Sequence, residues 1–215
     1  MAITFKKILK RLRFEIWEGR QGYGKPVGVG VWDRQFSEGE WKGLTGPQEA
    51  AHYAVIAGYV PFLHPKPAVL DAGCGQGVLA GHVLQRPCER YLGIDISREA
   101  VDQARLHCPQ AQFEEGCLET FTASPEFDVI ILNESIYYTR DPLGTFQRMQ
   151  AMLRLPGAII VSMCEYGHNK SIWSRLEGWS QPVWATRVSN EIGQGWNIKV
   201  FRFGHEAQGK GPDVQ

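Results

Sequence analysis

Three glycines at alternate positions follow an apolar run and an acid in Val69-Leu70-Asp71-Ala72-Gly73-Cys74-Gly75-Gln76-Gly77. The apolar run reads as a buried strand, and the glycines let the chain turn with φ > 0 and bring its backbone close to a bound molecule. Residues 78–85 can then start a helix whose first N–H groups face the same spot. Strand, ligand-binding turn and helix make the opening unit of an α/β sheet. The ligand expected at such a turn is a small anionic or carboxylate-bearing cofactor.

Spacing separates the cofactors that use loops of this kind. The nicotinamide and flavin fingerprint needs Gly-x-Gly-x-x-Gly, but here Val78 stands where the third glycine should be and Gly77 comes one residue early. This disfavours a nicotinamide oxidoreductase. The Asp-x-Gly-x-Gly-x-Gly pattern instead resembles the first motif of class I S-adenosylmethionine-dependent methyltransferases. A second apolar run, Tyr91-Leu92-Gly93-Ile94, ends in Asp95, 18 residues beyond Gly77, followed by Ile96. Asp95 can accept hydrogen bonds from a ribose diol. Both halves of a nucleoside site are then present.

The resemblance covers about residues 45–203. It implies an α/β, Rossmann-like doubly wound sheet, mostly parallel with an antiparallel C-terminal hairpin strand and preceded by a helical arm. The cofactor it implies is S-adenosyl-L-methionine, contacted by Asp71, Gly73, Cys74, Gly75, Gly77, Asp95 and Ile96. In the family the turn after the third strand borders the adenine, and the position that often holds an acid is Cys117 here. The backbone of Cys117 and Leu118 could serve instead, with Leu118 packing on the ring.

The rest of the chain fits an alternating pattern. Strands are expected at 68–72, 90–95, near 112–114 and at 127–132, and helices at 78–85, 98–107 (capped by Ser97) and 142–154 (capped by Asp141). Leu155-Pro156-Gly157 reads as a turn into a strand at 158–163. Two further strands, 184–190 and 196–203, are joined by a turn containing Gly193 and Gly195.

Residues at the carboxyl ends of such strands face the site. That brings Asn133, Glu134 and Tyr137 beside the expected cofactor, and His168 in a polar loop after the strand at 158–163. The segment lacks the Asn/Asp-Pro-Pro-aromatic motif of nucleobase amino methyltransferases, which argues against nucleic acid as substrate. A strand-end Glu followed by paired tyrosines is similar to small-molecule methyltransferases, including those of sugar and nodulation-factor biosynthesis. Glu134, His168 and Tyr137 are the candidate catalytic residues. As an ordinary first-turn acid, Glu134 has a structural alternative, and His168 has one as a solvated loop residue.

Upstream of the first strand the chain reads as interrupted helix from Val31 to Tyr59, with Trp32, Phe36 and Trp41 at spacings of four and five. Packing is their simplest role, but the arm is similar to the lid that class I methyltransferases fold over the cofactor. Trp41 and Tyr53 are the residues expected to touch it, since a sulfonium gains from an aromatic face within about 6 Å. Residues 19–30 carry five glycines and read as a flexible loop. Residues 1–13 form a basic amphipathic pattern, with Phe5, Ile8, Leu9 and Leu12 between lysines and arginines. Such a helix could pack on the core, dock on a partner or rest weakly on an anionic membrane surface.

Three segments follow from this: an arm and loop at 1–44, a methyltransferase domain at 45–203 and a tail at 204–215. A chain of 215 residues with 43% hydrophobic residues can bury one full core, and its zero formal charge offers nothing to nucleic acid. The five scattered cysteines suggest neither a disulfide framework nor a metal site and fit a reducing cytoplasm. A small-molecule hydroxyl or amine acceptor is expected, and a homodimer. A cofactor-binding regulator without turnover is the alternative function.

Overall fold

The computed structural model describes residues 25–165 and 169–204. The basic segment 1–13, the glycines before residue 25, His168 and the tail from residue 205 lie outside the described residues. Six α-helices are described: α1 (Val29–Glu38), α2 (Pro47–Leu63), α3 (Val78–Val83), α4 (Arg98–His107), α5 (Pro142–Ala151) and α6 (Asn169–Trp179). The strands are β1 (Ala68–Ala72), β2 (Arg90–Asp95), β3 (Gln112–Glu115), β4 (Phe127–Asn133), β5 (Leu153–Cys164), β6 (Trp184–Ser189) and β7 (Gly195–Phe203).

They form one sheet in the order β3-β2-β1-β4-β5-β7-β6. Pairing is parallel from β3 through β5, and β7 runs antiparallel to both β5 and β6. After β1 the chain builds outward to β2 and β3, then returns to lay β4 on the other side of β1. The strand order therefore reverses between β1 and β4, where open α/β sheets have their ligand crevice.

Residues alternate between two cores because successive side chains on a strand point to opposite faces. Val69, Val129, Ile131, Ile160 and Ile198 pack on one face with α2, α3 and α4 residues such as Ile56, Leu79 and Ala104. Leu70, Ile130, Leu132, Ile159 and Phe201 pack on the other face with Phe146, Met149, Trp173 and Leu176 of α5 and α6. Burial on both sides explains why β1 and β4 read as near-continuous apolar runs.

Several local expectations are corrected by tertiary context. Gly28 is the N-cap of α1 and Gly30 lies within that helix, so the glycine-rich stretch is helical at its end. Helix α5 stops at Ala151, and β5 already begins at Leu153; Leu155-Pro156-Gly157 lies inside it. Leu153 pairs with Phe127 and Ala158 with Val129, so the extra residues bulge out between two ladder positions. Gly157 suits the bulge because a Cβ there would lie 2.5 Å from the Arg154 carbonyl oxygen. Asp141 occupies the N-cap of α5 without a side-chain cap bond, and its Oδ1 accepts from Arg175 at 3.1 Å instead. Ser97 does cap α4, accepting from the Ala100 N–H at 3.2 Å. Among the described residues no helix is long and apolar enough to cross a membrane.

Gly93, in the middle of β2, carries a packing constraint. A Cβ there would meet the Phe113 ring at 2.5 Å and the Cys74 Cβ at 2.9 Å. Gly93→Ala should cost about 1–3 kcal/mol through overpacking, seen as a lower urea midpoint at unchanged m value. A change within about 0.5 kcal/mol, the range of a neutral surface substitution, would mean that Phe113 has room to yield.

Candidate active site

The loop after β1 is fastened to the end of β2. The Gly73 and Cys74 N–H groups donate to the Ile94 carbonyl at 2.8 and 2.9 Å, and the Gly75 N–H donates to Asp95 Oδ2 at 2.9 Å. Asp95 Oδ1 accepts from the Ser97 N–H, also at 2.9 Å. Burial pushes the Asp95 carboxyl up, and the bonds from Ser97 and Gly75 oppose it. One carboxylate thus shapes the glycine turn and the start of α4 while facing the cavity beside them.

The glycines do different jobs. Gly73 has φ +86°, and a Cβ there would lie 2.4 Å from the Ser135 Cβ. Ser135 hydrogen-bonds the Ala72 carbonyl at 2.6 Å, drawing the end of β4 against the end of β1. A Cβ on Gly75, at φ +51°, would meet only the Phe36 ring at 3.6 Å, leaving open space on the cavity side. Gly77 instead packs against Ala104 and Phe113, a close approach of loop to helix and strand.

A cavity of about 330 Å³ lies above the β1/β4 crevice. Its wall includes Asp71, Gly73, Cys74, Gly75, Asp95, Ile96, Leu118 and Asn133, together with Trp41, Tyr53, Glu134 and Tyr137. Of the described residues expected at the site, Gly77 and Cys117 do not line it. Glu49, Gln194 and Trp196 do, and the sequence offered no local signal for them: Glu49 sits in the first turn of α2 and the other two on or beside β7.

The arm covers this cavity. Trp32 lies edge-on to Tyr138 with centroids 4.8 Å apart, and Trp41 lies 6.0 Å from Trp32 and 6.1 Å from Phe36. Gln76 in the glycine loop donates to the Trp41 carbonyl at 2.8 Å. Asp33 accepts from the Ser97 hydroxyl at 2.6 Å, and Gln103 donates to the Phe36 carbonyl at 3.1 Å. The helical lid is therefore anchored to the same loop and helix start that Asp95 organises.

Two acceptors aim into the crevice unmatched. Asp71 is 1% exposed; its Oδ2 accepts from the Tyr91 hydroxyl at 2.7 Å, and its Oδ1 has no hydrogen-bond partner among the described residues. Burial pushes its pKa up to about 7. Asn133 Oδ1 is likewise buried without a partner. Buried polar atoms are rarely left so, and two acceptors at neighbouring strand ends suit a ligand ammonium group.

Glu134 holds the other end. It is a non-glycine residue with φ +54°, a conformation that costs of order 1–3 kcal/mol unless its surroundings enforce it. They do so here: its N–H donates to the Ser162 carbonyl at 3.0 Å. Its carboxyl accepts from the Tyr137 hydroxyl at 2.9 Å, the Cys164 N–H at 3.0 Å and the Ser162 hydroxyl at 3.3 Å. Enclosure pushes its pKa up to about 8, with those bonds pulling against the shift.

Comparison with known proteins shows the family of the chain. A family described as a methyltransferase domain matches residues 63–195. The trans-aconitate 2-methyltransferase of Enterobacter sp. (strain 638) is 31% identical over 96 residues, 44% of this chain and 38% of that protein. The ubiquinone biosynthesis O-methyltransferase of Actinobacillus pleuropneumoniae serotype 7 (strain AP76) is 30% identical over 104 residues, 44% of each chain. The chain thus matches only about two-fifths of the length of these curated relatives. The N-methyltransferase NodS from Bradyrhizobium japonicum WM9, solved with S-adenosyl-L-homocysteine, superposes with a TM-score of 0.67 at 16% identity, over 81% of this chain and 97% of that one. At that identity the likeness speaks for the fold, whereas the family match runs through the glycine loop, Asp95 and the β4 end and takes in more than half of the chain, which belongs to the methyltransferase domain family.

Proposed function

We propose that the chain transfers a methyl group from S-adenosylmethionine to a hydroxyl or amine of a small molecule, with a sugar or glycoconjugate precursor among the candidates. One observation carries the reading: the glycine turn fastened to Asp95 opens into the same cavity as the enclosed Glu134 carboxyl. The residues fit the cofactor. Asp95 faces the space a ribose needs, Asp71 Oδ1 and Asn133 Oδ1 suit an amino-acid ammonium, and the open side of Gly75 leaves room for close approach. Ile96 and Leu118 supply apolar walls for an adenine, and Trp41 and Tyr53 supply aromatic ones for the sulfonium. When bound, the cofactor supplies an activated methyl carbon. The relatives named above, a trans-aconitate methyltransferase among them, support a small acceptor but differ in which one.

The protein's own part is orientation and proton management. Holding an acceptor in line with the methyl carbon supplies much of the acceleration in such reactions. Glu134 is the candidate base for a hydroxyl or ammonium proton, Tyr137 holds its carboxylate, and His168 is a second candidate. We assign the domain to residues 45–203, with 1–44 as a covering arm and 204–215 as a tail.

Calorimetric titration with S-adenosylhomocysteine tests the cofactor half. Asp95→Ala should weaken binding by about 1.5–3 kcal/mol, the range for hydrogen bonds to a charged group, and Gly75→Val by at least as much. Unchanged affinity in a folded Asp95→Ala protein would contradict the assignment.

Turnover tests the other half, using the molecule that gains label when extract, protein and methyl-labelled S-adenosylmethionine are incubated together. Glu134→Gln should lower kcat by about 10²- to 10⁴-fold with cofactor affinity retained. Because the Glu134 pKa is raised, its ionised fraction grows as pH rises through about 8, so kcat/KM of the wild type should climb toward that pH and the variant should lack the climb. Wild-type turnover by Glu134→Gln would exclude it as the base.

A further inference from the structure

The cavity wall is acidic. Among the described residues it contains Glu49, Asp71, Asp95 and Glu134 and no lysine, arginine or histidine. Asp71 and Asp95 sit on β1 and β2, on the glycine-loop side. Glu134 follows β4 and is bonded to Ser162 and Cys164 of β5, Glu49 lies in the first turn of α2, and Tyr53, Tyr137 and Trp196 line the cavity with them.

Among the described residues neither of these two glutamates has a counter-cation. Glu134 is bonded by a phenol, a hydroxyl and an N–H, all neutral. Glu49 has His52 at 3.7 Å, but burial, with His82 adding to it, pulls that imidazole down to about 4, so it is neutral at physiological pH. Burial raises both glutamates, Glu49 adds to the upward shift of Glu134, and the charges of both act on the Tyr53 hydroxyl. The aromatic walls are fixed in place. Trp196 is 1% exposed and stacks on His52 at 4.8 Å, while Tyr53 is 4% exposed and stacks on His82 at 5.5 Å. Paired carboxylates with aromatic faces and no cation attract a positive guest and repel an anionic one.

Resting on the methyltransferase reading, we infer that the acceptor is a small amine, held as its ammonium form between Glu49 and Glu134 against Tyr53, Tyr137 and Trp196, and that carboxylate-bearing acceptors are rejected. The ammonium charge favours ionised glutamates, so the guest readies its own base. One N–H bond breaks as a carboxylate O–H forms, leaving a neutral amine with a free lone pair. A second cation satisfies the acids left over once Asp71 and Asp95 are engaged with the cofactor.

The test uses the full chain loaded with S-adenosylhomocysteine and three matched probes, 2-phenylethylamine, 2-phenylethanol and 3-phenylpropanoate, with binding read by calorimetry. The amine should bind at least about tenfold more tightly than the other two, and Glu49→Gln and Glu134→Gln should each remove most of that preference while S-adenosylhomocysteine affinity stays within about threefold. That unchanged affinity also verifies that each variant is folded. Equal or tighter binding of the alcohol or the acid overturns the inference, as does absence of a preference among the three. It is equally overturned if the variants weaken S-adenosylmethionine relative to S-adenosylhomocysteine but leave the amine preference intact, since the acids would then serve the sulfonium. Failure of S-adenosylhomocysteine itself to bind the wild type would overturn the methyltransferase reading, a result distinct from all of these.

Discussion

The bond from the Gly75 N–H to Asp95, with the paired bonds from Gly73 and Cys74 to the Ile94 carbonyl, is the constraint on which the site depends. It fixes the turn leaving β1 against the end of β2 and so decides which way the loop opens. Ser97, held by the same carboxylate, starts α4 and receives Asp33 from the lid helix. Loop, helix start and lid are therefore one hydrogen-bonded assembly. A buried carboxylate is costly unless its oxygens are engaged, and here backbone N–H groups engage both of them.

Two kinds of strain are concentrated at the cavity. Glu134 keeps a left-handed backbone conformation, and four carboxylates share one cavity with no facing cation among the described residues. The rest of the fold stabilises itself by ordinary means, with alternating apolar side chains on both faces of a mostly parallel sheet. Unrelieved charge in a well-packed protein is a mark of ligand recognition, because folding alone gains nothing from it.

The fold was largely legible because its signals are local. The apolar run before Asp71, the glycines after it, Ser97 as a cap and the two apolar runs near the C-terminus each identify an element within a few residues. β5 was misread at its start because Pro156 and Gly157 look like a turn; only pairing with β4 reveals them as a bulge within the strand. The proposed cofactor side of the site rests on signals as local as those of the fold, since β1, β2 and the loop between β1 and α3 carry it. Glu49, Gln194 and Trp196 were not. They reach the cavity through packing of α2 on the sheet and through the antiparallel return of β7, which no spacing in the sequence encodes. Gly77 had the opposite fate: its motif position suggested the ligand, while its neighbours are Ala104 and Phe113.

The most direct measurement is a crystal structure of the protein grown with S-adenosylhomocysteine. The account requires the ribose hydroxyls on Asp95, the amino-acid ammonium within hydrogen-bond distance of Asp71 Oδ1 or Asn133 Oδ1, and the sulfur directed toward the space between Tyr53 and Glu134. Ligand density lying elsewhere, or with the sulfur turned away from Glu134, would contradict it.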